Sequence, residues 1–331
     1  MKELIEKFCV EYGLGVVITI PKQVSGGLLH TMYRVETETG CYAVKILNPE
    51  IMQRPAALQN MINSEKVSHV LENVVPLVAA KEFNGNHVVE LDGTWFMVFD
   101  WLNGASVFAP EITMEHCAKI GEVLGKIHAA DVDVAGMELS AEVRDVFAWE
   151  KLCKAMSFGE QGWISEIKEF LPELLELDKE VTHALKISSS HQVISHRDLD
   201  PKNVLWQNGK PYIIDWEAAG YVNPFQELIE VINYWTNSLD GSYNYEKIAT
   251  LKEAYRAYKE IMFVDWDTVL LRSFDGMLGW LEYNMRRAAG MTEEDVADRK
   301  EGKKQVEGTI AEIKRQKAQM EELRSWLYEH R

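Results

Sequence analysis

The chain of 331 residues carries 52 Asp and Glu against 35 Lys and Arg, a net charge of -17. That balance gives no cationic footprint for nucleic acid or an anionic lipid surface, and it suits small cationic molecules instead. A hydrophobic fraction of 47% with 10 Trp describes a globular chain long enough for two lobes, and four scattered cysteines without a C-x-x-C pair read as reduced thiols, neither a zinc site nor a disulfide framework.

The opening "MKELIEKFCVEYGLG" alternates charge with apolar residues as an amphipathic helix does, without the apolar h-region and small-residue cleavage site of a secretory leader. No run approaches membrane-spanning length, so the expected address is cytoplasmic. Strand signals follow in "GVVITIP", "LLHTMYRV", "CYAVKIL", "HVVEL" and "TWFMVFDW", separated by turn residues such as Gly26-Gly27, Gly40 and Asp92-Gly93. One helical segment interrupts them: "PAALQNMINSEKVSHVLEN" places Leu58, Ile62, Val67, Val70 and Leu71 at roughly helical spacing.

After "LNGASVFAP" the pattern turns helical, beginning with Ile120, Val123, Leu124 and Ile127 on one face of "TMEHCAKIGEVLGKIHAAD", so a boundary falls at Asn103 to Pro110. Helices run to about Ile187. Three short strands, "QVISH", "NVLWQ" and "PYIID", precede a helix over "NPFQELIEVINYW". From about Thr292 a charged helix carries Val306, Ile310, Ile313, Met320, Leu323 and Leu327 on one stripe, a pattern open to a coiled coil but better read as a terminal helix packed on its own lobe. The predicted class is α+β: a small antiparallel sheet with one helix, then a mainly helical part.

Phosphoryl transfer needs a carboxylate for the attacking hydroxyl, oxygen ligands for magnesium and a cation on the nucleotide phosphates. "VISHRDLDPKNVLW" supplies Asp198 after an apolar strand and Asn203 five positions later, the H-x-D-x-x-x-x-N arrangement of base and metal ligand. "YIID" ends a further strand in Asp215, a second oxygen for a hard cation. Alone, "HRDLDPKN" fits equally a turn in which Asp200-Pro201 caps a bend; the downstream "IID" tips the balance toward catalysis. In "CYAVKIL", Lys45 shares a strand face with Ala43 and Leu47 and is costly to desolvate without an anionic partner, for which the nucleotide phosphates and Glu65 on the helix that follows are the candidates; a lysine snorkelling at a strand edge is the other reading. Gly26 and Gly27 suit close backbone approach to phosphates, though an ordinary hairpin turn fits them as well.

Taken together, "SGGLLHTMYRV", "YAVK", Glu65, "FMVFDWLNG", "IGEVLGKIH", "VISHRDLDPKNVLW" and "IIDWEAAGYVNPFQEL" resemble, in order over about residues 15 to 235, the aminoglycoside phosphotransferase and choline kinase family. The resemblance implies a protein-kinase-like bilobal fold, with residues 1–103 as the nucleotide-binding lobe and 104–331 as the helical lobe with the catalytic loop and acceptor site. It implies ATP or GTP with Mg2+, adenine against backbone near Asp100 and Leu102, Asp198 as base, Asn203 and Asp215 as metal ligands and Lys45 on the phosphates. Three positions depart from the family: Asp200 stands where protein kinases carry a Lys and many relatives a His, Glu227 where an Asp is usual, and His30 where Asn or a small polar residue is common.

Only seven residues separate Asp215 from Asn223, too few for a peptide-binding activation segment, which points to a small-molecule acceptor rather than a protein. The expected activity is O-phosphorylation of a cationic hydroxylated molecule, aminoglycoside-like ahead of choline or another amino alcohol, by a monomer or homodimer; a catalytically silent nucleotide-binding module is the remaining alternative. Glu217 and Glu230 are the acceptor candidates, with Asp240, Asp275 and Glu282 beside Tyr234, Trp235, Trp266, Trp280 and Tyr283 as further possibilities. An acidic surface and a core aromatic stripe explain any one of these equally well, and His128 reads as a satisfied core histidine.

Overall fold

A computed structural model describes residues 1–24, 30–139, 143–156, 161–187, 191–291 and 296–330. Helix α1 (Lys2–Glu11) leads into β1 (Lys22–Val24), β2 (Thr31–Glu36) and β3 (Cys41–Ile46). A short α2 (Pro49–Met52) and the longer α3 (Ala57–Leu71) then precede β4 (Val89–Leu91) and β5 (Thr94–Asp100). The strands form one antiparallel sheet in the order β1-β2-β3-β5-β4.

Alternation in β3 divides the faces. Val44 and Ile46 pack with Phe96 and Val98 against Ile5, Phe8 and Cys9 of α1, while Leu47 and Met97 face Met61 of α3. Lys45 pairs with Met32 and Met97 across the ladder on that second face, as the period of two requires.

"GVVITIP" is not a strand. It makes a single bridge, Val17 to Thr37, and Val16, Ile18 and Ile20 are all exposed. From that bridge to the first β1 pair, Lys22 to Arg34, the chain advances five residues on one side and three on the other. The two surplus residues break the ladder as a bulge does, a feature that apolar patterning does not reveal. Gly26 and Gly27 lie outside the described residues, as does the Thr292 start of the last helix.

Beyond β5 come α4 (Met114–Ala130), α5 (Trp149–Met156), α6 (Gln161–Ile187), β6 (Val193–Ser195), β7 (Val204–Gln207), β8 (Lys210–Ile213) and β9 (Gly220–Val222). Helices α7 (Pro224–Trp235), α8 (Tyr245–Arg256), α9 (Trp266–Arg272), α10 (Asp275–Ala288) and α11 (Val296–Glu329) complete the chain. The strands here form two two-stranded ribbons, β6-β9 and β7-β8.

Helix α4 starts at a capping box between Thr113 and His116 and packs along α8. Gly121 and Gly125 permit the approach: a Cβ on Gly125 would lie 2.6 Å from the Tyr255 carbonyl oxygen, and Gly121 is tighter still. Val306, Ile310 and Ile313 of α11 join the core of α6 and α10, and Leu323 and Leu327 join that of α4 and α7, so the last helix packs on its own chain. Among the described residues no helix is long and apolar enough to cross a membrane, and Cys9, Cys41, Cys117 and Cys153 are unbridged.

Candidate active site

The loop after β6 is fixed from beneath by buried polar groups. His196 bonds through Nε2 to the Ile214 carbonyl at 3.0 Å, and its Nδ1 accepts from the Asp198 N–H at 3.2 Å. Glu227 on α7 accepts from the Arg197 N–H at 2.6 Å, and its other oxygen meets His128 Nε2 at 2.7 Å. Tyr255 closes the far side of His128 at 3.0 Å. Burial is the largest influence and opposes the Glu227 charge, but the bond and charge of His128, with the Ser195 hydroxyl and the Arg197 N–H, together outweigh it and hold the carboxyl below its ordinary range. Arg197 takes a left-handed φ of 65°, a strain that a non-glycine residue keeps only where its surroundings enforce it; the Glu227 bond to its N–H is that constraint.

From this support Asp198 projects as a part-buried carboxylate. Asn203 Nδ2 donates to its Oδ2 at 2.8 Å and to its carbonyl at 2.9 Å, and Lys202 Nζ lies 3.2 Å from Oδ2. Desolvation pushes the Asp198 carboxyl up, with Lys202 pulling the other way. Asp200 caps the Pro201–Asn203 turn by accepting from the Lys202 N–H at 2.8 Å. The capped bend and the H-x-D-x-x-x-x-N spacing therefore share one turn.

Opposite stands the charged end of β3. Lys45, 7% exposed, donates to Asp215 Oδ1 at 3.0 Å and to Glu217. Burial disfavours its charge, but the two carboxylates prevail and raise its pKa. Glu217 also has His30 Nε2 at 3.4 Å, while the Asn48 N–H donates to His30 Nδ1 at 2.9 Å. Burial pushes Glu217 up, and His30 with Lys45 more than reverses it, leaving a pKa of about 2. Asp215 has a φ of 62° at the head of the Trp216–Ala218 turn, and the Ile214 N–H bonds the Asn203 carbonyl at 3.0 Å, tying the Asp198 and Asp215 loops together.

Two expectations need correction. Lys45 does not pair with Glu65, whose carboxylate instead accepts from Ser68 Oγ at 3.0 Å and the Ala80 N–H at 2.9 Å. A sequence gives the face of the strand but not which carboxylate reaches it, and the Trp216–Ala218 turn, packed on α3, delivers Glu217 there first. Glu217 is accordingly committed to Lys45 and His30 rather than free for an acceptor. Asp100 points outward to Lys81 at 2.8 Å, with its backbone paired to Tyr42 in the last rung of β5; Leu102 follows in the segment beyond that rung.

Of the acceptor candidates, Trp235 and Trp266 are core residues at 0% and 1% exposure. Asp240 caps the Ser242 N–H, Glu282 pairs with Arg286, and Asp275 accepts from Arg144 Nε at 2.7 Å. Glu230 differs from these. Gln226 Nε2 donates to its Oε1 at 3.0 Å, and burial first, then Glu227, drive its pKa up to about 8. One turn on, Tyr234 has its phenol pushed well up, by desolvation first and then by the charges of Glu230, Asp198 and Asp200. The Gln226 Oε1 is buried without a partner among the described residues.

Asn203 spends its amide nitrogen on Asp198, which leaves Oδ1 as its available oxygen, and Asp215 gives one oxygen to Lys45 and keeps the other. Two oxygen donors on tied loops suit a hard divalent cation that keeps its remaining positions for water and phosphate.

The model of the "Phosphotransferase enzyme family" matches residues 21–261. A homoserine kinase of Paramagnetospirillum magneticum is 23% identical over 279 residues, covering 81% of this chain and 80% of that protein. Among solved structures, a spectinomycin phosphotransferase in complex with ADP and spectinomycin superposes with a TM-score of 0.72 at 14% identity, over 93% of this chain and 94% of that one. A choline kinase from Cryptosporidium parvum gives 0.62 at 14% identity, over 99% and 100% of the two chains. The fold shared with these structures is protein-kinase-like.

Proposed function

The chain belongs to the phosphotransferase enzyme family, and from that premise we propose that it is an ATP-dependent O-kinase of a small alcohol bearing a protonated amine. The observation that carries the reading is the pairing of Asp198 with Asn203 on a loop tied to Asp215 and Lys45. In this reading residues 1–103 bind the nucleotide, 104–331 bind the acceptor, and the backbone from Asp100 to Leu102 meets the base. Lys45 is released from Asp215 and Glu217 to the nucleotide phosphates. Asn203 Oδ1 and the second Asp215 oxygen would hold a divalent ion, expected to be Mg2+, which supplies charge to the phosphates when bound. Asp198 accepts the acceptor's hydroxyl proton.

The amine follows from Glu230. A carboxyl raised by burial beside a buried, unpartnered Gln226 oxygen is a site that gains most from a cation with N–H donors. Homoserine, ethanolamine and spectinomycin each carry a hydroxyl and an amine, and choline a hydroxyl with a quaternary ammonium that has no N–H to donate; the names of the relatives and neighbours span these acceptors, and the Gln226 oxygen favours the amines. The curated relatives named homoserine kinase move a compact hydroxy amino acid ahead of an aminoglycoside in our reading.

The test is transfer of label from γ-labelled ATP across hydroxy amino acids, amino alcohols and aminoglycosides. Asp198→Asn should lower kcat by roughly 10²–10⁴-fold, the worth of a general base, with nucleotide affinity kept. No transfer to any amine-bearing alcohol, or an Asp198→Asn enzyme at wild-type kcat, would overturn the assignment.

A further inference from the structure

The catalytic loop carries a cation that the sequence pattern does not announce. Position 200, two after Asp198, is occupied by an acid whose carboxylate caps the Pro201–Asn203 turn. Lys202, four after Asp198, is carried by that same turn, which is pinned by the Asp200 bond to its N–H at 2.8 Å and by Ser106 Oγ donating to its carbonyl at 3.3 Å. The backbone is held while the side chain stays half open to solvent at 49%. Its Nζ lies 3.2 Å from Asp198 Oδ2 and 3.9 Å from Asp200 Oδ2. The neighbouring Asn203 presents its amide to the same Asp198 oxygen. One turn thus delivers both an amide and an ammonium to the group that receives the acceptor's proton.

The other cations at the site are otherwise disposed. Lys45 is nine-tenths buried between Asp215 and Glu217, and the Arg197 guanidinium lies against Gly220, where an added Cβ would meet its Nη1 at 3.0 Å. Lys202 is left as the ammonium beside the base.

Building on the phosphotransferase reading, we propose that Lys202 is a catalytic residue whose ammonium binds a non-bridging oxygen of the phosphoryl group in transit from nucleotide to acceptor. The acceptor oxygen forms a bond to the γ-phosphorus as the bond from that phosphorus to the β–γ bridging oxygen breaks. The hydroxyl proton passes to Asp198, and the bridging oxygen departs with its electron pair on ADP. Lys202 keeps its proton throughout and exchanges its contact with Asp198 for one with the phosphoryl oxygen. A charge fixed where negative charge gathers in the transition state acts on the rate more than on ground-state affinity. In this arrangement Asp200 sets the turn and Lys202 supplies the charge.

The experiment needs no knowledge of the acceptor. Affinity for MgADP is measured by calorimetry with and without aluminium fluoride, a planar mimic of the phosphoryl group in transfer, on wild type, Lys202→Met and Lys202→Arg, each checked for an unchanged thermal midpoint. Wild type should bind MgADP at least roughly tenfold tighter with the fluoride, as expected of a transition-state mimic. Lys202→Met should lose most of that gain while binding MgADP alone about as well, and Lys202→Arg should recover part of it. A Lys202→Met protein that keeps the full gain overturns the role of Lys202 alone, because a surface ion pair would leave the ratio unmoved. A wild-type protein without any gain overturns the phosphotransferase reading and this proposal with it.

Discussion

Glu227 and Glu230 stand one turn apart on α7 and are opposites. Glu227 faces inward, at 1% exposure, and both of its oxygens are used, one by His128 and one by the Arg197 N–H. Its pKa is held low. Glu230 has one bond, from Gln226, and burial lifts it to about 8. A carboxylate that supports a structure is completed within the chain, whereas one that awaits a ligand is left short of donors. The same contrast separates the underside of the Asp198 loop, where His196, Glu227 and His128 are satisfied, from the Glu230 side of α7, where the Gln226 oxygen has no partner among the described residues.

Breaking the inward member should have the largest effect. Glu227→Ala strands His128 and the Arg197 N–H in a buried site and removes what holds Arg197 at positive φ, so a loss of about 3–5 kcal/mol of stability is expected for a broken buried pair. Transfer activity should vanish in whatever fraction remains folded. Denaturant unfolding with parallel rate measurements checks this. Glu227→Asp, one methylene shorter, should recover folding more fully than rate, and a Glu227→Ala protein of wild-type stability and rate would end the contrast.

Lys45 extends the comparison to the nucleotide side, where charges are satisfied in the free protein but must be rearranged for binding. Lys45→Met leaves Asp215 and Glu217 without their common cation, so nucleotide affinity and rate should fall together, each by roughly tenfold or more if a charge-assisted contact to phosphate is lost. Nucleotide titration followed by fluorescence of the native tryptophans would measure the first, and label transfer the second. An unchanged affinity would mean that Lys45 is a structural clamp on Asp215 and Glu217 instead.

What could be read from the sequence divides along similar lines. Residues 193–228 are legible because Asp198, Asn203 and Asp215 are placed by short covalent spacings on rigid strand ends. The face of Lys45 follows from a period of two. Its partner does not, because Glu65 and Glu217 are far apart in sequence and only packing decides which arrives. Lys202 could have been seen as the i+4 neighbour of Asp198, but that spacing carries meaning only once the Pro201–Asn203 turn is known. Trp235 and Trp266 looked equally suited to an acceptor cage or a core, since composition does not say which face of a helix meets the cleft; both are core. Glu230 has no motif, and its distinction from Glu227 is one of surroundings.

The smallest expected effect tests that distinction in the folded protein without any ligand. A carboxyl whose pKa rises from the ordinary 4.5 in the unfolded chain to about 8 in the folded one binds more protons in the native state than in the unfolded state between those values. Stability therefore falls as pH rises through that window. The full penalty is present only above the folded value; three and a half tenfold changes in proton affinity at about 1.4 kcal/mol each cap it at about 5 kcal/mol, and because solvent still reaches this half-buried carboxyl the loss expected at pH 8 is well below that cap. Glu230→Gln keeps the shape and cannot ionise, so it should match wild type near pH 5 and exceed it in thermal midpoint near pH 8, with the gap opening between. Glu227→Gln should show no such gain at pH 8, because the carboxylate it replaces is stabilised, not strained, by its surroundings. If Glu230→Gln tracks wild type at both pH values, the carboxyl is already adequately solvated or paired, and the case for an ammonium at that position loses its physical basis.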